Sequence, residues 1–129
     1  MIGIDTNVLV RFLLRDDPSQ VARADQLFRS LSPDRPGFVP LIVWAECYWV
    51  LTGVYRLAPA QVIDSLLELL NSDEITSQAE PQVRAALNAA GKGADFADAL
   101  VQEAARASGC SEWVTFDKAA AKKLGFRLL

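Results

Sequence analysis

The chain has 129 residues, 51% of them hydrophobic, and a formal net charge of -3 from 13 Lys and Arg against 16 Asp and Glu. That is enough material for one domain, 1–129, with a substantial core, and it excludes the pervasively basic surface of a simple nucleic-acid binder. Histidine is absent, which removes Ser-His and Cys-His nucleophile pairs, His-zinc sites and imidazole acid-base chemistry, and leaves carboxylates, Lys, Tyr, Cys or a metal-bound water.

In chain order, Met1 to Ile4 is a short apolar run that stops at Asp5-Thr6-Asn7, the pattern of a buried strand ending in a polar turn. It lacks a basic leader, and Asp5 interrupts it, so it reads as strand and helix rather than signal sequence. Val8 to Leu14 is expected to be helical. Asp17-Pro18 supplies a cap and a first-turn proline for a second helix running to about Leu31. A loop over residues 32 to 37 leads to a strand at Phe38 and Val39, and then to the helix LIVWAECYWVL, broken near Gly53. Ala58-Pro59-Ala60 opens a helix whose Val62, Leu66, Leu67, Leu69 and Leu70 recur at helical spacing. A third strand is expected at Glu74 to Thr76, and a helix over Pro81 to Ala90. A flexible hinge follows at Gly91-Lys92-Gly93, which lacks the pattern of a phosphate loop but whose Lys92 is a candidate phosphate contact, then a helix over Asp95 to Ala107. Trp113 to Phe116 reads as a fourth strand, Lys118 to Leu124 as a short helix, and Arg127 to Leu129 as an edge strand.

Strands alternating with helices predict an α/β fold, a three-layer α/β/α sandwich around a mostly parallel sheet, with ligands bound at the carboxyl ends of the strands. Asp5 and Asp117 fall at such ends. Cys47 and Cys110 are too few for a disulfide framework and read as buried apolar groups in a reducing, cytoplasmic compartment. No segment approaches the roughly 20 apolar residues of a membrane span.

The acids carry the chemistry. Glu46 shares its helical face with Ile42, Val43, Trp49 and Val50, a stripe expected to be buried, where an unpartnered carboxylate costs several kcal/mol or more. Asp5 and Asp117, taken singly, are most simply helix caps, and for Asp95 the cap reading is about as good as a functional one. Asp98, one turn further along, has the helix dipole as its plainer explanation, and a weaker one because it lies deeper in the helix. Together these carboxylates describe a pocket in which each close pair would repel by about 3 kcal/mol at ~5 Å and an effective dielectric of ~20. A divalent cation reverses that sign, and hard oxygen donors without His or Cys select Mg²⁺ or Mn²⁺. Other charges look blander. Arg11 and Arg15 read as surface charge with phosphate contact as the sharper alternative, and Trp44, Tyr48 and Trp49 as core or subunit interface.

IDTNVLV at residues 4–10, VPLIVWAECYWVL at 39–51, ADFADALV at 94–101 and VTFDKAAAK at 114–122 resemble, in this order, the PIN-domain family and within it the VapC-type ribonuclease toxins. The resemblance implies an α/β/α fold, a Mg²⁺- or Mn²⁺-dependent endoribonuclease acting on an RNA substrate, and a cognate antitoxin as partner; the aromatic helix allows a homodimer. The family's acidic centre falls on Asp5, Glu46, Asp98 and Asp117, with Asp95 a common extra acid and Asn7 and Thr115 as supporting polar positions. The acid cluster and the absence of imidazole lead to an expected mechanism in which Asp5 and Asp98 hold the main ion, and Glu46 and Asp117 bind it through water, recruit a second ion or orient the attacking water. Two alternatives are a Mg²⁺-dependent phosphatase or phosphoacceptor domain, which Asp5-Thr6-Asn7 fits poorly because it lacks a second Asp two residues on, and a catalytically silent binding module of the same fold.

Overall fold

The structure, a computed structural model, describes residues 1–129. The chain divides into two compact units, Met1–Glu80 and Pro81–Leu129. Both contain parallel strands and are rich in helix, which bears out the α/β class.

In the first unit, β1 (Ile2–Gly3), β2 (Gly37–Val39) and β3 (Ile75–Ser77) form a parallel sheet in the order β1-β2-β3. Registers Gly3↔Phe38 and Val39↔Ser77 align their carboxyl ends. Parallel neighbours need crossover helices, and the sequence supplies α1 (Thr6–Leu14) and α2 (Pro18–Ser30) after β1, then α3 (Leu41–Trp49) and α4 (Pro59–Leu70) after β2. Pro18 and Pro59 stand in the first turns of α2 and α4, where the missing N–H is no loss. At Gly37 of the central strand a Cβ would lie 2.5 Å from Ile4 Cδ1 and 3.0 Å from Leu31 Cδ1, so a side chain there would have to displace buried methyl groups. The core includes Leu9, Val39, Trp44, Cys47, Leu51, Val62 and Leu66, and the Trp44 indole donates to Ser77 Oγ at 2.8 Å. The break expected near Gly53 is instead a π-helical segment, Val50–Val54, that continues α3.

The second unit holds α5 (Glu80–Gly91) from its second residue, α6 (Phe96–Ala107), β4 (Val114–Thr115), α7 (Lys118–Leu124) and β5 (Arg127–Leu128). β4 and β5 pair in parallel as a separate two-stranded sheet, Thr115 opposite Leu128. Val83, Ala86, Leu87, Ala90, Phe96, Ala99, Leu100, Ala120 and Phe126 are its buried apolar residues. Buried among them, Gln102 of α6 donates its amide to the Leu124 carbonyl at the end of α7, satisfying an orphan acceptor and tying the two helices together. No helix of the chain is long and apolar enough to cross a membrane.

Candidate active site

The second unit brings three of the expected acids together. Asp95 is the N-cap of α6, its carboxylate accepting from the Asp98 N–H at 3.0 Å. Asp117 is the N-cap of α7 and accepts from the N–H groups of Ala119 and Ala120 at 2.7 and 3.2 Å. Its own N–H donates to Thr115 Oγ1 at 3.0 Å, so the supporting threonine fixes the turn that aims Asp117. The cap readings of Asp95 and Asp117 are therefore correct as far as they go.

Asp98 is the member without a cap role. Half-buried at the start of α6, its carboxyl is held above the usual range first by loss of solvent, then by the charges of Asp95 and Asp117. None of the three forms an ion pair. Helix capping accounts for two carboxylates and the helix dipole favours the third in the first turn of α6, yet that carboxyl is raised rather than lowered there. Gln102 stands one turn beyond Asp98 on the same face, so its bond to Leu124 also fixes the helix that carries Asp98 relative to the one that Asp117 caps.

In the first unit Asp5 lies two residues beyond the carboxyl end of β1 and caps α1, accepting from the Asn7 N–H at 3.4 Å. That bond is long, and most of the carboxylate's accepting capacity is uncommitted. Thr6, 7% exposed, buries a hydroxyl that has no hydrogen-bond partner, beside Asp5. α3 leaves the same carboxyl edge after Pro40.

The expected burial of Glu46 is corrected. The inward face of α3 is Val43, Trp44, Cys47 and Tyr48, continued by Leu51. Glu46 lies on the opposite, exposed face between Ile42 and Trp49, which are 66% and 65% exposed. Its carboxylate is hydrated, and what needs explaining is the pair of large apolar side chains beside it. Trp44 and Tyr48 are core, as one of the two readings had it. Cys110 is also corrected: it is exposed, while Cys47 is buried and its thiol pushed up to about 12 by loss of solvent. Arg11 and Arg15 follow the bland reading, paired with Asp16 at 3.1 Å and Asp25 at 2.7 Å.

Whether these residues suit a divalent ion is a question of donor chemistry. Nowhere do three or more His, Cys, Asp or Glu side chains converge into a ready-made cage. The second unit offers instead a repelling set of carboxylate oxygens with no cation partner, and the first an open carboxylate beside an orphaned hydroxyl. Mg²⁺ takes one or two carboxylates and keeps most of its waters, so the oxygen-only set fits such an ion and would not suit zinc.

Sequence reasoning passed over Gln102 and Thr6. Gln102 was visible as a polar residue four positions after Asp98, on the stripe continued by Ala99 and Leu100; nothing in the sequence marks the Thr6 hydroxyl as unpartnered. The PIN domain family matches the chain over residues 2–126. No curated protein matches it.

Proposed function

The chain belongs to the PIN-domain family, whose members are in general metal-dependent nucleases, and we propose that it is an endoribonuclease, the toxin of a toxin-antitoxin pair. The observation that carries this reading is Asp98, a carboxyl set against two others with no base to neutralise it. In the absence of histidine, such a group is better suited to ion binding than to proton transfer alone. The family match runs through both compact units, which supports reading 1–129 as one PIN-like domain.

The proposed roles follow from what each side chain is free to do. Asp5 and Asp98 would hold the ion, Mg²⁺ or Mn²⁺. Glu46, hydrated on its helix, and Asp117, fixed by Thr115, orient water. Asn7 and Asp95 support Asp5 and Asp98 from one helical turn or less away. When bound, the ion supplies Lewis acidity, lowering the pKa of a coordinated water and offsetting charge on the phosphoryl oxygens. The partners proposed are RNA, an antitoxin protein and a second copy of the chain. The exposed Ile42 and Trp49 support a protein contact on α3, and the unpaired thiols fit a reducing cytoplasm.

The test is RNA cleavage with Mn²⁺ and with EDTA, by the parent and by Asp5→Asn and Glu46→Gln. Metal-dependent cleavage, lost in both variants, is the expected result; full activity in EDTA, or in both variants, overturns the scheme. Independently of activity, Mn²⁺ is expected to raise the melting temperature of the parent by mass action.

A further inference from the structure

All four lysines of the chain, Lys92, Lys118, Lys122 and Lys123, lie in the second unit. None of their side chains makes an ion pair or a hydrogen bond, whereas Arg11, Arg15, Arg106 and Arg127 are all paired with acids. The charge is segregated accordingly. The first unit has six arginines against eleven acids, net -5, and the second has seven cations against five acids, net +2. A chain that is acidic as a whole thus contains a basic part, and the acid trio lies within it.

The lysines are gathered by two elements. Around α7, Ala120 is buried and Ala121 and Leu124 are partly covered, while Lys118, Lys122 and Lys123 occupy the remaining arc, all exposed. Lys118 directly follows Asp117, and Lys122 is one turn on, about 6 Å along the axis. The fourth lysine comes from the loop before α6. Gly93 has φ +103 there, a conformation side chains rarely adopt, and a Cβ built on it would stand 3.4 Å from Lys123 Nζ. That approach places the Lys92-Gly93 loop beside α7, two residues before Asp95.

We infer that these four lysines form the track along which the second unit grips the phosphate backbone of single-stranded RNA beside the acid trio. The inference rests on the proposed nuclease reading and deepens it. A polyanion cannot approach three carboxylates without a compensating field, and unpaired, exposed ammonium groups flanking the trio provide one without reading sequence. Lysine suits this task because it is a mobile point charge, whereas the paired arginines are committed to fixed forks. An acidic protein is the competing occupant, and it is an arm of the test.

The experiment measures equilibrium binding of a labelled single-stranded oligoribonucleotide in EDTA across a salt series. It compares the parent, Lys92→Gln/Lys123→Gln, Lys118→Gln/Lys122→Gln, and the exposed control Arg35→Gln. Each lysine removed is expected to lower the slope of log K against log salt by about 0.7. Each double variant is also expected to bind at least about tenfold more weakly at low salt, with the control unchanged. The lysines are all exposed, so an unaltered melting temperature identifies a folded variant. Unchanged slopes and affinities in both doubles, with the parent still cleaving RNA in Mn²⁺, overturn the track and leave the nuclease reading intact. A parent that binds RNA through the lysines but never cleaves it sinks the nuclease reading and leaves the surface standing. Lysine-dependent binding of poly-glutamate without binding of RNA overturns the track in favour of a protein partner.

Discussion

The two units differ in where charge is left unanswered. In the first, Arg11 answers Asp16 and Arg15 answers Asp25 across short, solvent-facing pairs. In the second, Arg106 and Arg127 pair with Glu103 and Glu112, but Asp98 lies in the field of Asp95 and Asp117 and four lysines stand free. Local neutralisation needs no ligand; segregated charge stores repulsion that an ion or a polyanion relieves. By that criterion the second unit carries the stronger signature of chemistry, although Asp5 and Glu46 of the first are also assigned to it.

The largest expected effect breaks the comparison at its centre. Asp98→Asn should lower metal-dependent RNA cleavage by at least about 10²-fold, while its melting temperature in EDTA at neutral pH stays level or rises. The sign follows from the raised carboxyl. The stabilising contribution of its neutral form is complete below the unfolded pKa and is lost as pH rises through the folded one. Asparagine keeps the neutral form at every pH. A large loss of stability would mean that Asp98 is a structural group and the contrast between units is misread.

Gln102→Ala should cost about 1–3 kcal/mol by stranding a carbonyl at the end of α7, read as a lower denaturant midpoint. If Gln102 also positions the trio, cleavage by the folded variant falls with it; unaltered cleavage confines its role to stability.

The thiols sharpen the contrast at smaller cost. A maleimide should label one thiol per native chain, at Cys110, and reach Cys47 only after unfolding. Labelling of both in the native protein would contradict the sealed core around α3.

The smallest effect is on the acid side of the first unit. Arg15 holds the Asp25 carboxyl below its ordinary value, chiefly by hydrogen bonding. Its contribution is present above the unfolded pKa and disappears as pH falls through the lower, folded one. Arg15→Gln should therefore lower stability slightly at neutral pH, the loss being small because the pair is solvent-facing, and leave it unchanged once pH has fallen below the folded pKa, so that the acid decline is shallower. An unchanged acid limb in thermal melts would dismiss the pair.

Much of the fold was legible because its punctuation is chemical. Asp17-Pro18 began α2, and Lys118 to Leu124 formed a helix with those bounds, capped by Asp117 and ended by Gly125. Hydrogen-bond pairing was less legible: alternating elements announce parallel strands, yet β4 and β5 pair apart from the other three, which no local pattern encodes. The orientation of α3 was misjudged because apolar residues surround it. Two phases compete, Ile42-Glu46-Trp49 and Val43-Trp44-Cys47-Tyr48-Leu51, and the wider second stripe is the one that is buried. At the site, Asp95 and Asp117 were ambiguous between cap and function because they are caps placed beside Asp98. Lys118, Lys122 and Lys123 escaped notice because a whole-chain charge of -3 averages two units of opposite sign.

The exposed indole of Trp49 stands one turn from Glu46, while that of Trp44 is sealed. Nature has thereby fitted α3 with an optical reporter: acrylamide should dim the light from Trp49 and spare that from Trp44. Whatever settles over Glu46 should shield the outer indole, so occupancy there can be followed by emission from the unlabelled protein.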